Sequence, residues 1–243
     1  MVLLINILLN GSNGNMGNVI SEYVRKSDDF NLLYKIDKDN ANLVYSIAQK
    51  PDVIIDFSVP SATFSILDYA VKNLVPIVIA TTGFTEMQEK RIAEFSEAIP
   101  IFKSANMCLG VNVVSNLSSS LAQILTDFDI EIVEKHHKKK IDSPSGTALM
   151  IANKINKYCG NKYKYIFSRS LAKQRKSSSE IGFSSIRGGG LVGEHSILFL
   201  GENETIELKH TAYSRNIYAD GALRAAKFII GKKSGLYSMD DIC

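Results

Sequence analysis

The sequence predicts an α/β protein in two parts, a doubly wound parallel sheet followed by an α+β region. Three observations carry this. From residue 1 to about residue 107, short apolar runs alternate with longer amphipathic stretches, as β-α units feeding a parallel sheet do. A glycine-rich turn, Gly11 to Gly17, joins the first run to the first helix. Beyond residue 108 the alternation gives way to one long helical stretch and several strands separated by Gly-rich or Glu-Asn turns.

In chain order, strands are expected at Leu3–Leu9, Leu32–Ile36, Val53–Phe57, Ile77–Ala80 and Ile101–Lys103. Helices fall between them at Asn15–Lys26, Ser61–Asn73 and Thr85–Ala98, each opened by a small polar or turn residue suited to capping. The link from Lys38 to Asp52 is short and carries one weak helical pattern at Leu43–Gln49. The second part reads as a helix at Gly110–Leu125, a strand at Phe128–Glu134 and a helix opening near Ser145. Strands follow at Ile181–Ile186, Glu194–Leu200 and Thr205–His210, read as antiparallel neighbours. Ser168–Ser179, rich in Lys, Arg and Ser and without an apolar period, is expected to be a mobile loop. A helix at Ala219–Ile230 and an apolar tail at Leu236–Tyr237 close the chain and are expected to pack back on the first part. The domains expected are 1–107, completed by 216–243, and 108–215.

Composition narrows the function classes. With 45% hydrophobic and 22% charged residues the chain folds rather than remaining disordered. A formal net charge of +3 over 243 residues gives no general basic field, so no nucleic-acid partner is expected. Cys108, Cys159 and Cys243 lack C-x-x-C spacing, which argues against a disulfide framework or a zinc site and fits a reducing cytoplasm. The apolar run Val2–Asn10 is too short to span a bilayer, and no other stretch approaches ~20 apolar residues, so no membrane association is expected.

Gly11-Ser12-Asn13-Gly14-Asn15-Met16-Gly17 follows a predicted strand and opens a predicted helix. Glycines there permit a tight turn, bring main chain close to a pyrophosphate and let helix and strand pack closely. The helix N-terminus supplies free N–H groups and a favourable dipole. The spacing is G-x-x-G-x-x-G, with Ser12 at the place of a glycine in the commoner G-x-G-x-x-G. Asp37 stands about 20 residues on, at the end of the second strand, where a carboxylate can hydrogen-bond an adenosine ribose. Lys38 beside it is either a solvated charge or a partner for a 2′-phosphate, so NADH and NADPH are both admitted. Ala80-Thr81-Thr82-Gly83 and Ser104-Ala105-Asn106-Met107 also follow strands, at positions where such a sheet meets its ligand.

The densest chemistry lies in Glu134-Lys135-His136-His137-Lys138-Lys139-Lys140-Ile141-Asp142-Ser143-Pro144-Ser145-Gly146-Thr147. Lys138 and Lys139 read as solvated charges. His136, His137 and Lys140 beside Ser145-Gly146-Thr147, at the start of a helix with outward N–H groups, read as a cradle for a carboxylate. Zinc is not expected, since neighbouring strand residues point to opposite faces and nothing completes a tetrahedron. His195 and His210 read as hydrogen-bonded structural histidines, and the roles of Arg187 and Arg215 stay open.

With these blocks in this order the chain resembles the 4-hydroxy-tetrahydrodipicolinate reductase (dihydrodipicolinate reductase) family. The resemblance rests on Gly11–Gly17, Val53–Ser58, Thr81-Thr82-Gly83, Asn106 with Gly110-Val111-Asn112, Glu134–Thr147, Ile186–Gly189 through Gly193-Glu194-His195, and Ser214-Arg215. It departs from the family pattern at Ala80, where glycine is usual, at Cys108, where serine is frequent, at Ser143, which replaces alanine, and in the short link after Asp37. The resemblance implies a Rossmann cofactor domain and an α+β substrate domain whose open mixed sheet builds a homotetramer. It implies NADH- or NADPH-dependent reduction of a small cyclic dicarboxylate in diaminopimelate and lysine biosynthesis. His136 and Lys140 would be the catalytic pair, and His137, Gly146 and Thr147 would bind substrate, assisted by Ser145 and Thr82. Gly11 to Met16, Asp37, Lys38, Ala80 to Thr82 and Ser104 to Met107 would contact the cofactor. Two alternatives remain at this point: a related NAD(P)-dependent amino- or keto-acid dehydrogenase, and a non-catalytic dinucleotide sensor.

Overall fold

The structure is a computed structural model that describes residues 4–169 and 176–243. The chain forms two compact units, one made of Met1–Leu109 with Arg215–Cys243 and the other of Gly110–Ser214.

The first unit is built on a six-stranded, wholly parallel sheet. Its strands are β1 (Ile5–Asn10), β2 (Phe30–Ile36), β3 (Val53–Asp56), β4 (Ile77–Ile79), β5 (Pro100–Lys103) and β11 (Gly235–Tyr237), in the order β11-β5-β4-β3-β1-β2. Strands buried on both faces need continuous apolar runs, and every residue of Val53-Ile54-Ile55-Asp56 is buried. Helices α1 (Asn15–Arg25), α2 (Pro60–Asn73) and α3 (Glu86–Ser96) lie in the crossovers, and α6 (Asn216–Ile229) returns late in the chain. Pro60 sits in the first turn of α2, where its missing N–H costs nothing. Thr85 caps α3 in a reciprocal box with Gln88. On one side of the sheet Ile7, Leu9, Ile55 and Phe102 pack with Ala222, Leu223 and Ala226 of α6. On the other, Leu8, Ile54 and Ile77 pack with Ile66 and Leu67 of α2.

The tail at Leu236–Tyr237 is strand β11, which pairs in parallel with β5 at the sheet edge. The weak helical pattern at Leu43–Gln49 is instead a 3-10 helix over Lys38–Ser46, started early because Asp37 and Asn40 form a capping box.

The second unit has a five-stranded mixed sheet of β6 (Asp129–His136), β7 (Lys164–Ile166), β8 (Glu180–Arg187), β9 (Gly193–Leu200) and β10 (Thr205–Ala212), in the order β10-β9-β6-β8-β7. Helices α4 (Leu109–Ile124) and α5 (Gly146–Tyr158) contribute Ala122, Ala148, Ile151 and Ile155 to the core against Ile130, Ile132, Ile197 and Phe199. One expectation is overturned: β8 and β9 are not neighbours. β6 lies between them, parallel to β8 and antiparallel to β9, while β9 and β10 do pair antiparallel. The glycine loop after β8 does not close a hairpin but wraps the end of β6, through Gly188 N–H to His136 O and His137 N–H to Leu191 O. The short edge strand β7 was not expected. Residues 170–175 of the loop expected over Ser168–Ser179 lie outside the described residues.

Candidate functional site

In the first unit, β1 ends at Asn10 and α1 begins at Asn15 with Gly14 as its N-cap, so the cap has no side-chain hydrogen bond and the first-turn N–H groups keep no side-chain acceptor. Gly11 is in the left-handed region at φ 80°. A Cβ on Gly11 would meet Phe57 O at 2.4 Å, and one on Gly17 would meet Gly11 O at 2.2 Å. These two glycines therefore serve close packing. On Gly14 a Cβ would meet only Gly11 O, at 3.3 Å, so its missing side chain keeps the mouth of the turn open. The turn borders a cleft of about 530 Å³. Asn13, Gly14, Asp37 and Lys38 line its polar end, and Val44 and Ile66 its apolar wall.

This donor set fits a dinucleotide: unpaired main-chain N–H groups for a pyrophosphate and an apolar wall for a flat base. Asp37 is also wired into the turn itself, its carboxylate accepting Asn13 N–H at 2.9 Å and Lys38 N–H at 2.8 Å. The 3-10 helix brings Val44 to the cleft, which periodicity did not reveal.

Beneath the turn lies Asp56, fully buried at the end of β3. It accepts hydrogen bonds from Asn10 Nδ2 (2.8 Å), Ser58 Oγ (2.5 Å), Thr63 Oγ1 (2.6 Å) and Thr81 Oγ1 (2.9 Å). Burial pushes its carboxyl above the ordinary range, against these four bonds. One side chain thus ties together the ends of β1, β3 and β4 and the start of α2. Thr81, expected at the cofactor, is buried, its hydroxyl shared between Asp56 and Ser58 N–H. Thr82 is exposed, and Ala80 is half-buried. In the Ser104–Met107 loop, Ser104 Oγ donates to Asn106 O at 2.8 Å, Asn106 Oδ1 accepts Cys108 N–H, and Met107 is buried in the core. Ala105 alone of these four is exposed.

In the second unit the buried positions of β6 are Ile130, Ile132, Glu134 and His136. Two are charged or titratable, which needs compensation. Glu134 is fully buried and accepts from His136 Nδ1 (2.5 Å), Arg187 Nη1 (2.8 Å), Arg187 Nη2 (2.6 Å) and Ser145 N–H (3.2 Å). Burial alone would raise its carboxyl, but Arg187, Ser185 and His136 outweigh that and hold it at about 2.

His136 has 8% of its surface exposed, and its Nε2 hydrogen-bonds to no described residue. A Cβ on Gly193 would come within 2.9 Å of that nitrogen, so the glycine makes room for the ring. Burial lowers the His136 pKa, with Glu134 opposing. His195 stacks edge-on against it with centroids 5.1 Å apart and shares a 2.8 Å hydrogen bond with Ser145 Oγ. Burial lowers the His195 pKa to about 3, which leaves the ring neutral.

Lys140 is partly exposed and pairs with Asp142 at 2.8 Å. Ser145 caps α5 by accepting Ala148 N–H, so its buried hydroxyl is used inside the protein. Gly146 is exposed and a Cβ there would meet nothing within 4 Å, which leaves room at the helix start. His137 lies just past the strand, its Nδ1 buried without a hydrogen bond. The segment therefore gathers His136, Lys140 and the Gly146-Thr147 end of α5. No group of His, Cys, Asp and Glu able to hold a metal occurs among the described residues.

Family models described as dihydrodipicolinate reductase, N-terminus and C-terminus, match residues 5–107 and 110–243. The chain belongs to the dihydrodipicolinate reductase family. It is accordingly an NAD(P)H-dependent oxidoreductase. It is 44% identical to the 4-hydroxy-tetrahydrodipicolinate reductase of Caldanaerobacter subterraneus subsp. tengcongensis, over 99% of this chain and 98% of that protein. It is 43% identical to the enzyme of the same name from Clostridium tetani, over 98% and 96%. Among solved structures it is similar to a dipicolinate-bound dihydrodipicolinate reductase from Paenisporosarcina sp. TG-14, with a TM-score of 0.81, 25% identity, and 99% and 100% of the two chains covered. The two folded units, one a parallel Rossmann-type sheet and the other a mixed sheet, fit this family. Sequence reasoning passed over Glu134 as a site residue and left Arg187 open; a charge at an inward position of a strand was the available signal.

Proposed function

We propose that the chain reduces 4-hydroxy-tetrahydrodipicolinate to tetrahydrodipicolinate in the diaminopimelate route to lysine, with His136 and Lys140 handling the proton. The balance is loss of water from the hydroxylated ring, then addition of one hydride and one proton. NAD(P)H supplies the hydride. Main chain from Gly11 to Met16 and the side chains of Asp37 and Lys38 hold it, with further contacts from Ala80 to Thr82 and Ser104 to Met107. The substrate is a dianion, so Lys140, His137 and the N–H groups of Gly146 and Thr147 bind its carboxylates, with Ser145 holding the helix start and Thr82 assisting. Charge develops on the ring as hydride arrives, and a protonated group beside it stabilises the transition state more than the ground state. One observation carries these roles: His136 has Nδ1 fixed and Nε2 unengaged in the same short segment that brings Lys140 and the open start of α5.

The face of the mixed sheet away from its helices carries Val133, Leu198 and the exposed Ile186, and we assign it to a homotetramer interface. Cysteines that form no disulfide, Cys108, Cys159 and Cys243, suit a cytoplasmic enzyme.

The test couples the chain to a synthase that makes the unstable substrate and follows NADH or NADPH oxidation. His136→Gln and Lys140→Ala each lower kcat by at least ~100-fold while nucleotide binding persists. Near-normal turnover in both variants overturns the assignment.

A further inference from the structure

We propose that Glu134, clamped by Arg187, is a positioning residue for the reaction, fixing His136 with the proton on Nδ1 and the lone pair on Nε2. This rests on the reading that His136 moves a proton, and deepens it. A carboxylate accepts hydrogen bonds and donates none, so the ring nitrogen 2.5 Å from Glu134 must be the protonated one. Only Nε2 is then left to accept or return a proton when the ring is neutral.

The clamp is not a generic strand contact. Both oxygens of Glu134 are engaged by the Arg187 fork, at 2.8 and 2.6 Å, so the carboxylate plane is set by a planar guanidinium rather than by one flexible bond. The same Arg187 Nη2 donates to Asp142 O at 2.7 Å, in the loop that carries Lys140. Glu134 also receives Ser145 N–H, which precedes the open start of α5. One buried ion pair therefore registers the histidine, the lysine loop and the helix start against each other.

The charged and titratable groups facing His136 are Glu134 on its own strand, Arg187 on β8, His195 on β9, and Lys140 with its partner Asp142 on the following loop. Glu134 is the one anion among them in direct contact with the ring. Replacing it by glutamine strips Arg187 of its counter-charge beside the ring, while Lys140 keeps Asp142, and offers the ring a neutral amide.

The experiment uses full-length protein labelled with 15N in histidine. In the wild type the neutral His136 ring shows the Nδ1–H tautomer. In Glu134→Gln the tautomer becomes mixed, the His136 pKa falls by about one unit, and kcat drops about 100-fold with little change in NADH Kd. Because Glu134→Gln alone strands Arg187, the double variant Glu134→Gln/Arg187→Met removes the pair as a unit. It regains thermal stability and stays slow, with a mixed tautomer. Conservative Glu134→Asp recovers part of the turnover. The proposal is overturned if the wild-type ring carries its proton on Nε2. It is equally overturned if the double variant, at native Tm, turns over like wild type while His136→Gln remains inactive, which leaves the role of His136 standing. A mixed tautomer with normal turnover, and normal turnover also in His136→Gln, removes the role of His136 and that of Glu134 with it.

Discussion

Each unit has a fully buried carboxylate, Asp56 in the first and Glu134 in the second, and the two are compensated in opposite ways. Asp56 is held by an amide and three hydroxyls with no cation in contact, and burial drives its carboxyl upward. Glu134 is held by a guanidinium, a histidine ring and a main-chain N–H, and stays ionised down to about 2. Asp56 gathers strand ends and nothing in its contacts needs a particular charge. Glu134 gathers loop ends and also dictates the protonation of the ring beside it. Two similar-looking buried acids can thus be separated by their donors: rotatable neutral groups tolerate a change of charge, and fixed cations do not.

The largest expected effect tests whether the nucleotide side depends on backbone closeness rather than charge. Gly17→Ala places a methyl 2.2 Å from Gly11 O and lowers NADH affinity about 100-fold or abolishes folding of the unit. Gly14→Ala, with its nearest atom at 3.3 Å, loses far less; isothermal titration of both variants decides, and equal losses break the distinction.

Next in size is the carboxylate exchange itself. Asp56→Asn costs about 1 kcal/mol, because the hydroxyls of Ser58, Thr63 and Thr81 can turn to accept. Glu134→Gln costs about 3 kcal/mol, because Arg187 loses its counter-charge. Urea unfolding of the two variants side by side gives the ranking, and the reverse order would undo the comparison.

The smallest effect lies in acid. The Glu134 carboxyl falls on folding from its ordinary 4.5 to about 2, so its stabilisation is complete above about 4.5 and is lost as pH falls toward about 2. Asp56 has the opposite sign: its folded pKa lies above the ordinary 3.8, so its contribution improves as pH drops through that raised value toward 3.8. Thermal melts at about pH 5 and about pH 3 therefore show a smaller acid loss for Glu134→Gln than for the wild type, and a larger one for Asp56→Asn. Parallel curves for all three proteins would remove the electrostatic half of the contrast.

Much of this was readable in the amino acids. The parallel sheet announced itself through runs such as Val53-Ile54-Ile55, since strands covered on both faces must be apolar throughout. The turn at Gly11–Gly17 and the start of α5 at Ser145 were legible because glycine and serine there answer local backbone needs. What stayed hidden is non-local. Nothing near Gly188–Gly190 says that the loop wraps β6, so β8 and β9 looked like a hairpin. The hydroxyls of Thr81 and Ser145 suit ligand contacts, and nothing local in the sequence says that distant partners, Asp56 and His195, also hold them. Glu134 was masked by the lysines and histidines that follow it. Its importance comes from Arg187, 53 positions away.

The first unit is made from the two ends of the chain, with the second unit as an insertion between them. α6 supplies Ala219, Ala222, Leu223, Ala225, Ala226 and Ile229 to its core, and β11 completes its sheet beside β5. During synthesis the ribosome therefore releases the whole mixed-sheet unit before the parallel sheet can close. Until Arg215–Cys243 emerges, the nascent amino-terminal half carries an uncovered apolar side and an unfinished edge, the state in which chaperones find their clients.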